Sequence, residues 1–120
     1  MQGARSDLGP RGERAALAEY RRRGYRLVSK NWRCPLGELD LVLAKRGLLV
    51  FCEVKTRTGA DLGGPYEAVT WQKQARLRRL AEAFLAANPT RAEQRFRFDV
   101  ASVTVSRRGQ QQVYFFEDAF

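Results

Sequence analysis

Asp40, Glu53 and Lys55 are the residues of this 120-residue chain best suited to chemistry. Asp40 interrupts the apolar run G-E-L-D-L-V-L at residues 37–43, and Glu53 and Lys55 close the run L-V-F-C-E-V-K at residues 49–55. If Arg46–Gly47 is a two-residue hairpin turn, Lys45 faces Leu48, Asp40 faces Glu53 and Glu38 faces Lys55. Alternation then gathers Glu38, Asp40, Glu53 and Lys55 on one face, beside Val42 and Phe51. It sends Leu39, Leu41, Leu43, Val50, Cys52 and Val54 to the other. Carboxylates crowded on one patch repel each other, and partial burial sharpens the repulsion. A divalent cation, Mg²⁺ or Mn²⁺, relieves it, with oxygens from Asp40 and Glu53 and a third from the Val54 carbonyl. Such a cation activates water and polarises a phosphoryl oxygen, and Lys55 would orient the water or offset charge at the phosphate. The same spacing also suits plain salt bridges, Glu38–Lys55 and Glu53–Lys55, on a solvated sheet face, and D…ExK alone does not choose between the two.

Composition narrows the chemistry further. The chain has no histidine, which removes the commonest general base, the serine–histidine triads and most zinc sites. Its two cysteines cannot fill a four-ligand zinc site, and Cys52, inside an apolar run, reads as a small buried hydrophobe. Lysine and arginine number 22 against 13 acids, a net charge of +9 that favours a polyanionic partner. No apolar run approaches the ~18 residues of a membrane helix, and no signal peptide is evident, so the expected location is the cytoplasm, away from the membrane.

The elements that must position these residues follow from periodicity and punctuation. Residues 1–10 read as a loose N-terminal segment and residues 11–120 as a single domain. A helix is predicted over Arg11–Arg23, stopped by Gly24. Strands are predicted over Tyr25–Trp32, Glu38–Lys45 and Leu48–Lys55, and the residues from Thr56 to Tyr66 read as a glycine-rich loop. Thr70 is the N-cap of a second helix, which runs to Ala87 with the buried stripe Leu77, Leu80, Ala81, Phe84. Strands over Phe96–Val105 and Val113–Phe116 complete an α/β chain whose first three strands form a meander, their connections being too short for parallel crossovers.

With these residues in place, the chain resembles the YraN type of bacterial endonuclease-like proteins and, more distantly, archaeal Holliday-junction resolvases. Both belong to the PD-(D/E)xK restriction-endonuclease-like superfamily. The resemblance runs from Gly9 to Phe120 and is carried by G-P-R-G-E-R-A-A (9–16), G-Y (24–25), N-W-R (31–33), G-E-L-D-L (37–41), F-C-E-V-K-T-R (51–57), Lys73, F-D-V (98–100) and the terminal A-F. It implies an αβββαβ core with a mixed central sheet flanked by helices, Mg²⁺-dependent phosphodiester cleavage and a nucleic-acid substrate. Asp40, Glu53 and Lys55 match the superfamily motif, with Leu39 where that motif has proline, and Glu13 matches the acid that the first helix contributes. Read on its own, Glu13 shares a helix face with Ala16, Leu17 and Tyr20. It is therefore either a helix-terminal acid or a member of the site.

Two basic tracts stand out. Arg21, Arg22, Arg23, Arg26, Lys30 and Arg33 have no acid between them, and Lys73, Arg76, Arg78 and Arg79 lie on the second helix. Arg22, Arg26, Arg33, Arg57, Gln72, Lys73, Arg76 and Arg79 are the expected phosphate contacts. Trp32 and Trp71 read as core residues, with base stacking as the other role open to them. No recognition helix or zinc finger is visible. The expected function is therefore metal-dependent hydrolysis of DNA, selective for branched or single-stranded structure rather than sequence. The alternative is a non-catalytic nucleic-acid-binding protein or adaptor with the same fold. A homodimer would suit symmetric cutting of two strands.

Overall fold

The computed structural model describes residues 3–58 and 70–120, with side chains from Leu8 onward. The order is α1 (Gly3–Arg22), β1 (Arg26–Cys34), β2 (Gly37–Lys45), β3 (Leu48–Thr58), α2 (Trp71–Ala87), β4 (Arg95–Val105) and β5 (Gln111–Phe116). Five strands form one sheet in the spatial order β1-β2-β3-β4-β5. β1, β2 and β3 make an antiparallel meander, β4 joins β3 in parallel, and β5 returns antiparallel to β4. This is the mixed α/β arrangement expected, compatible with an αβββαβ core, with β5 added at the edge.

The helices cover opposite faces. Ala16, Leu17 and Tyr20 of α1 pack with Leu41, Leu43, Val50, Cys52, Ala101 and Val103. Leu77, Leu80, Ala81 and Phe84 of α2 pack with Leu39, Val42, Leu49, Phe51, Phe98 and Val100. β2, β3 and β4 are therefore apolar on both sides, as central strands flanked by helices must be. Trp32 closes the α2 layer edge-on to Phe84, its ring centroid 5.3 Å away. Among the described residues, no helix is long and apolar enough to cross a membrane.

The β2–β3 hairpin has the register expected from a two-residue turn: Lys45 pairs with Leu48, Val42 with Phe51 and Leu41 with Cys52. Arg46 and Gly47 both have positive φ, 49° and 80°, the backbone that matches the twist of a tight hairpin. α2 begins after Thr70, whose hydroxyl accepts the Lys73 amide N–H, and ends at Asn88. Each of these features is settled by residues close in sequence.

Three expectations change. α1 begins at Gly3 rather than Arg11. It runs through Pro10, which forfeits one helical hydrogen bond, while Leu8 packs against the α1-side core. β3 continues to Thr58, so Thr56 and Arg57 lie on a strand rather than in a loop, held by the parallel ladder to Val103 and Thr104. The rest of that loop lies outside the described residues. Leu39 and Leu41 fall on opposite faces instead of one. Asn31, between the pairs Lys30–Leu41 and Trp32–Leu39, has φ 54°, so the β1–β2 ladder is distorted opposite Asp40 and strict alternation fails there.

Candidate functional site

The site lies where β2 and β3 part. Their ladder is regular as far as Leu41–Cys52. One residue further on, the Val54 amide N–H donates to Asp40 Oδ2 at 2.8 Å, a side chain standing in for a strand partner. Asp40 is largely buried, and burial pushes its carboxyl up to about 7. The Val54 hydrogen bond opposes that rise, while repulsion from Glu53, Glu13 and Glu38 adds to it. Asp40 on β2 thus feels the charge of Glu53 on β3 and of Glu13 on α1.

Lys55 is on the same face of β3 as Glu53, with its Nζ 3.8 Å from Glu53 Oε2. Both side chains are mostly covered, 23% and 20% exposed, so the pair is set into the molecule. Glu38 pairs with Arg33 at 3.5 Å instead of with Lys55, and these two line a shallow pocket with Cys34 and Gly37. Among the described residues, no three Asp, Glu, Cys or His side chains converge as a ready-made metal cluster. The Glu13 and Glu53 carboxylates act on Asp40 through their charge. Val54 serves the site through its N–H; the expected role of its carbonyl as a metal ligand remains a proposal.

Gly12 explains how Glu13 reaches this end of the sheet. A Cβ at Gly12 would stand 1.8 Å from Thr56 Oγ1, so only glycine lets α1 press so close to β3, one residue beyond Lys55. Glu13 follows directly, while Ala16, Leu17 and Tyr20 continue the buried stripe along the same helix.

The topology sorts the cations. α2 must run back over the sheet to bring β4 parallel to β3, so its first turns lie at the carboxyl ends of those strands, the site end. Gln72, Lys73, Arg76 and Arg79 are exposed there and along α2, and among the described residues the three cations make no ion pair. Arg57 follows Lys55 on β3. Arg33 is at the site end of β1, beside the Cys34–Gly37 pair, whereas Arg26 pairs with Ala44 at the far end. The rise of a strand separates Arg26 from Arg33 by roughly 23 Å. The first basic tract is therefore not one surface. Arg22 and Arg23, at the far end, are bound to Glu19 one helical turn earlier, and Arg23 also approaches Glu117 at 3.7 Å. Arg78 stacks over Phe98 and Phe120. Trp71 is 83% exposed, against the expectation that it joins the core; it precedes the buried stripe of α2 and faces solvent.

Ser102 escaped the sequence reading. It pairs with Lys55 across β3–β4, on the same face, and its buried hydroxyl has no hydrogen-bond partner. An apolar strand containing one serine carries little signal until the parallel register places it beside Lys55. Asp99 is given no role by the sequence, although F-D-V is part of the family resemblance. It is fully buried and fully satisfied: Arg97 grips both carboxylate oxygens at 2.8 Å, Tyr20 donates its hydroxyl at 2.7 Å and the Asp118 amide donates at 3.1 Å. This clasp ties α1, β4 and the C-terminal segment together, and it holds the helix that carries Glu13.

A model of the uncharacterised protein family UPF0102 matches residues 12–103, a span that contains Glu13, Asp40, Glu53, Lys55 and Ser102. The chain belongs to UPF0102. A UPF0102 protein of Clavibacter michiganensis is 49% identical over 107 residues, covering 89% of this chain and 90% of the relative. Those of Kineococcus radiotolerans and Roseiflexus castenholzii are 46% and 44% identical over 106 and 111 residues, covering 88% and 92% of this chain and 87% and 90% of each relative. The UPF0102 relatives are thus similar over nearly their whole length, and their names state no activity.

Proposed function

We propose that this UPF0102 protein is a metal-dependent nuclease that hydrolyses phosphodiester bonds of DNA, leaving a 5′-phosphate and a 3′-hydroxyl. The observation that carries the reading is Asp40, held by the Val54 N–H and under the charge of Glu53 and Glu13, with Lys55 beside Glu53 on β3, in a chain of net charge +9. A purely structural site gains little from acids placed where they repel one another. Hard carboxylate oxygens from two residues fit the way Mg²⁺ and Mn²⁺ are held in phosphoryl-transfer sites. Asp40 and Glu53 would hold the ion, with the Val54 carbonyl as the proposed third oxygen. When bound, it would lower the pKa of water and polarise the phosphoryl oxygen.

The chain's own groups do the rest. The Val54 N–H fixes the Asp40 carboxylate through Oδ2 and leaves its other oxygen for the ion. Glu13 adds negative charge that favours the cation. With Glu53 engaged by the ion, Lys55 would be free to offer its ammonium to the scissile phosphate and offset charge there. Lys73, Arg76, Arg79, Arg57 and Arg33 surround this end and suit phosphate contact without base readout, so selectivity would come from DNA structure.

The second reading is a nucleic-acid-binding protein or adaptor without turnover. The Glu53–Lys55 ion pair favours it, because that pair already neutralises both groups. One gel series separates the two. Wild type, Lys55→Ala, Asp40→Ala and Glu13→Gln are incubated with single-stranded, duplex, flap and four-way-junction DNA, and with RNA, in Mg²⁺, Mn²⁺ or EDTA. The nuclease reading expects Lys55→Ala to bind normally while turnover falls about 10²–10⁴-fold. It expects Asp40→Ala to lose turnover and metal together, and Glu13→Gln to cost less. A wild type that binds every substrate and cuts none leaves the binding reading standing. Cleavage that survives both Lys55→Ala and Asp40→Ala belongs to another enzyme.

A further inference from the structure

We propose that Trp71 is a base-stacking platform and that the strand entering the site carries unpaired bases. Trp71 is the most exposed large apolar side chain among the described residues, at 83%. One exposed ring is ordinary on a protein surface, so what stands around it decides its role. The contrast with Trp32 is direct: that indole packs edge-on against Phe84, whereas Trp71 has no ring or hydrogen-bond partner among the described residues.

Its surroundings select the partner. Most other arginines near a face of the sheet are engaged: Arg22 and Arg23 with Glu19, Arg33 with Glu38, Arg91 with Glu93, Arg97 with Asp99 and Arg78 with two phenyl rings. On α2, Lys73, Arg76 and Arg79 are exposed and unpaired among the described residues, so uncompensated positive charge runs along the helix that Trp71 opens. The first turn of α2 also carries no acid, which leaves the positive end of the helix dipole open to a phosphate. An apolar protein partner would gain from the indole but not from these cations. A single nucleic-acid strand uses both, its bases stacking on the ring while its phosphates meet the cations.

Beyond the apolar layer, the same face of the sheet carries polar rows. Lys55, Ser102 and Tyr114 form one cross-strand row on β3, β4 and β5, and Arg57, Thr104 and Gln112 form the next. The row before them, Glu53, Val100 and Phe116, still borders the apolar layer under α2. The face thus turns from apolar to polar beyond that row, with Ser102 buried at its centre and Tyr114 44% exposed at its outer edge. A duplex offers no free base face to an indole on such a surface; an unpaired segment does. That this strand leads to the scissile bond rests on the nuclease reading above, whereas the stacking itself does not.

The test is tryptophan emission from the full chain in EDTA, titrated with a single-stranded DNA of about 12 nucleotides, the matching duplex and single-stranded RNA of the same sequence. Trp32 is packed, so quenching reports Trp71. Wild type should be quenched by the single strands and not by the duplex. Trp71→Ala should abolish the quench and weaken single-strand binding about 10-fold, within the range expected for one stacked base. Duplex affinity should change less than about twofold, and Trp71→Phe should restore most of the loss. Equal single-strand affinity for wild type and Trp71→Ala, or quenching by duplex alone, overturns the proposal. Quenching with no cleavage in Mg²⁺ defeats the nuclease reading and leaves the stacking site intact. Cleavage that Trp71→Ala leaves unchanged on every substrate, with unchanged binding, does the reverse.

Discussion

Asp40→Asn should stabilise the metal-free protein while destroying its response to metal. The asparagine amide keeps an oxygen to accept the Val54 N–H, so the local backbone has no reason to move. What disappears is a carboxylate that burial and three neighbouring acids oppose, raising its pKa from 3.8 to about 7. That gap corresponds to about 4 kcal/mol at about 1.4 kcal/mol per pH unit. Asp40 keeps some access to water, and screening brings the expected gain to about 2 kcal/mol. For a chain of this size that is a rise of about 8 °C in melting temperature. The pH dependence has a definite sign. Below pH ~4 the carboxyl is protonated in both folded and unfolded chains, and the substitution changes little. From there to about 7 the unfolded chain has released the proton and the folded one retains it, so wild-type stability falls and the advantage of Asp40→Asn grows; beyond about 7 it is constant. Urea or thermal unfolding at pH 4, 5.5 and 7.5 in EDTA measures it. Repetition with Mn²⁺ should raise the wild type and leave Asp40→Asn unmoved. A variant no more stable than wild type at pH 7.5, or an advantage that shrinks as pH rises, refutes the electrostatic account of the site.

Further outcomes follow from the same structure. Arg76→Ala with Arg79→Ala should weaken binding of all DNA forms alike and flatten the dependence of affinity on salt, read by anisotropy at several ionic strengths. Gly12→Ala should destabilise the fold by about 1–3 kcal/mol, because its methyl meets the Thr56 hydroxyl, and adding Thr56→Ala should restore part of the loss in unfolding experiments. Asp99→Asn should lower stability by about 3–5 kcal/mol, since it leaves the Arg97 guanidinium without its carboxylate, and calorimetry should show a far larger loss than for Glu19→Gln on the surface.

The elements and the hairpin were legible in the residue order because their causes are local. The 3.6-residue stripe Leu77, Leu80, Ala81, Phe84 dictates which side of α2 is buried, and Thr70 dictates where it starts. The Arg46–Gly47 turn, only two residues long, leaves one register open to β2 and β3, and that register runs as far as Leu41 and Cys52, the neighbours of Asp40 and Glu53. Strict alternation misled only at Leu39, where β1 contributes Asn31 with positive φ and distorts the ladder opposite Asp40.

Only the tertiary structure decided how far Asp40 is buried, which acids surround it and which cations remain free. Glu13 joins the site because Gly12 lets α1 approach Thr56, a contact between residues 44 positions apart that no periodicity encodes. The tract from Arg21 to Arg33 looked like one basic surface, but β1 carries its ends to opposite ends of the sheet, and Glu19 and Glu38 claim several of its charges. Trp71 and Trp32 are the same residue type, yet one closes the core and the other stands in water. Secondary structure depends on patterns a few residues long. Burial, repulsion and ion pairing depend on which distant segments the sheet order brings together, and the parallel return of β4 beside β3 is the step that brings them together here.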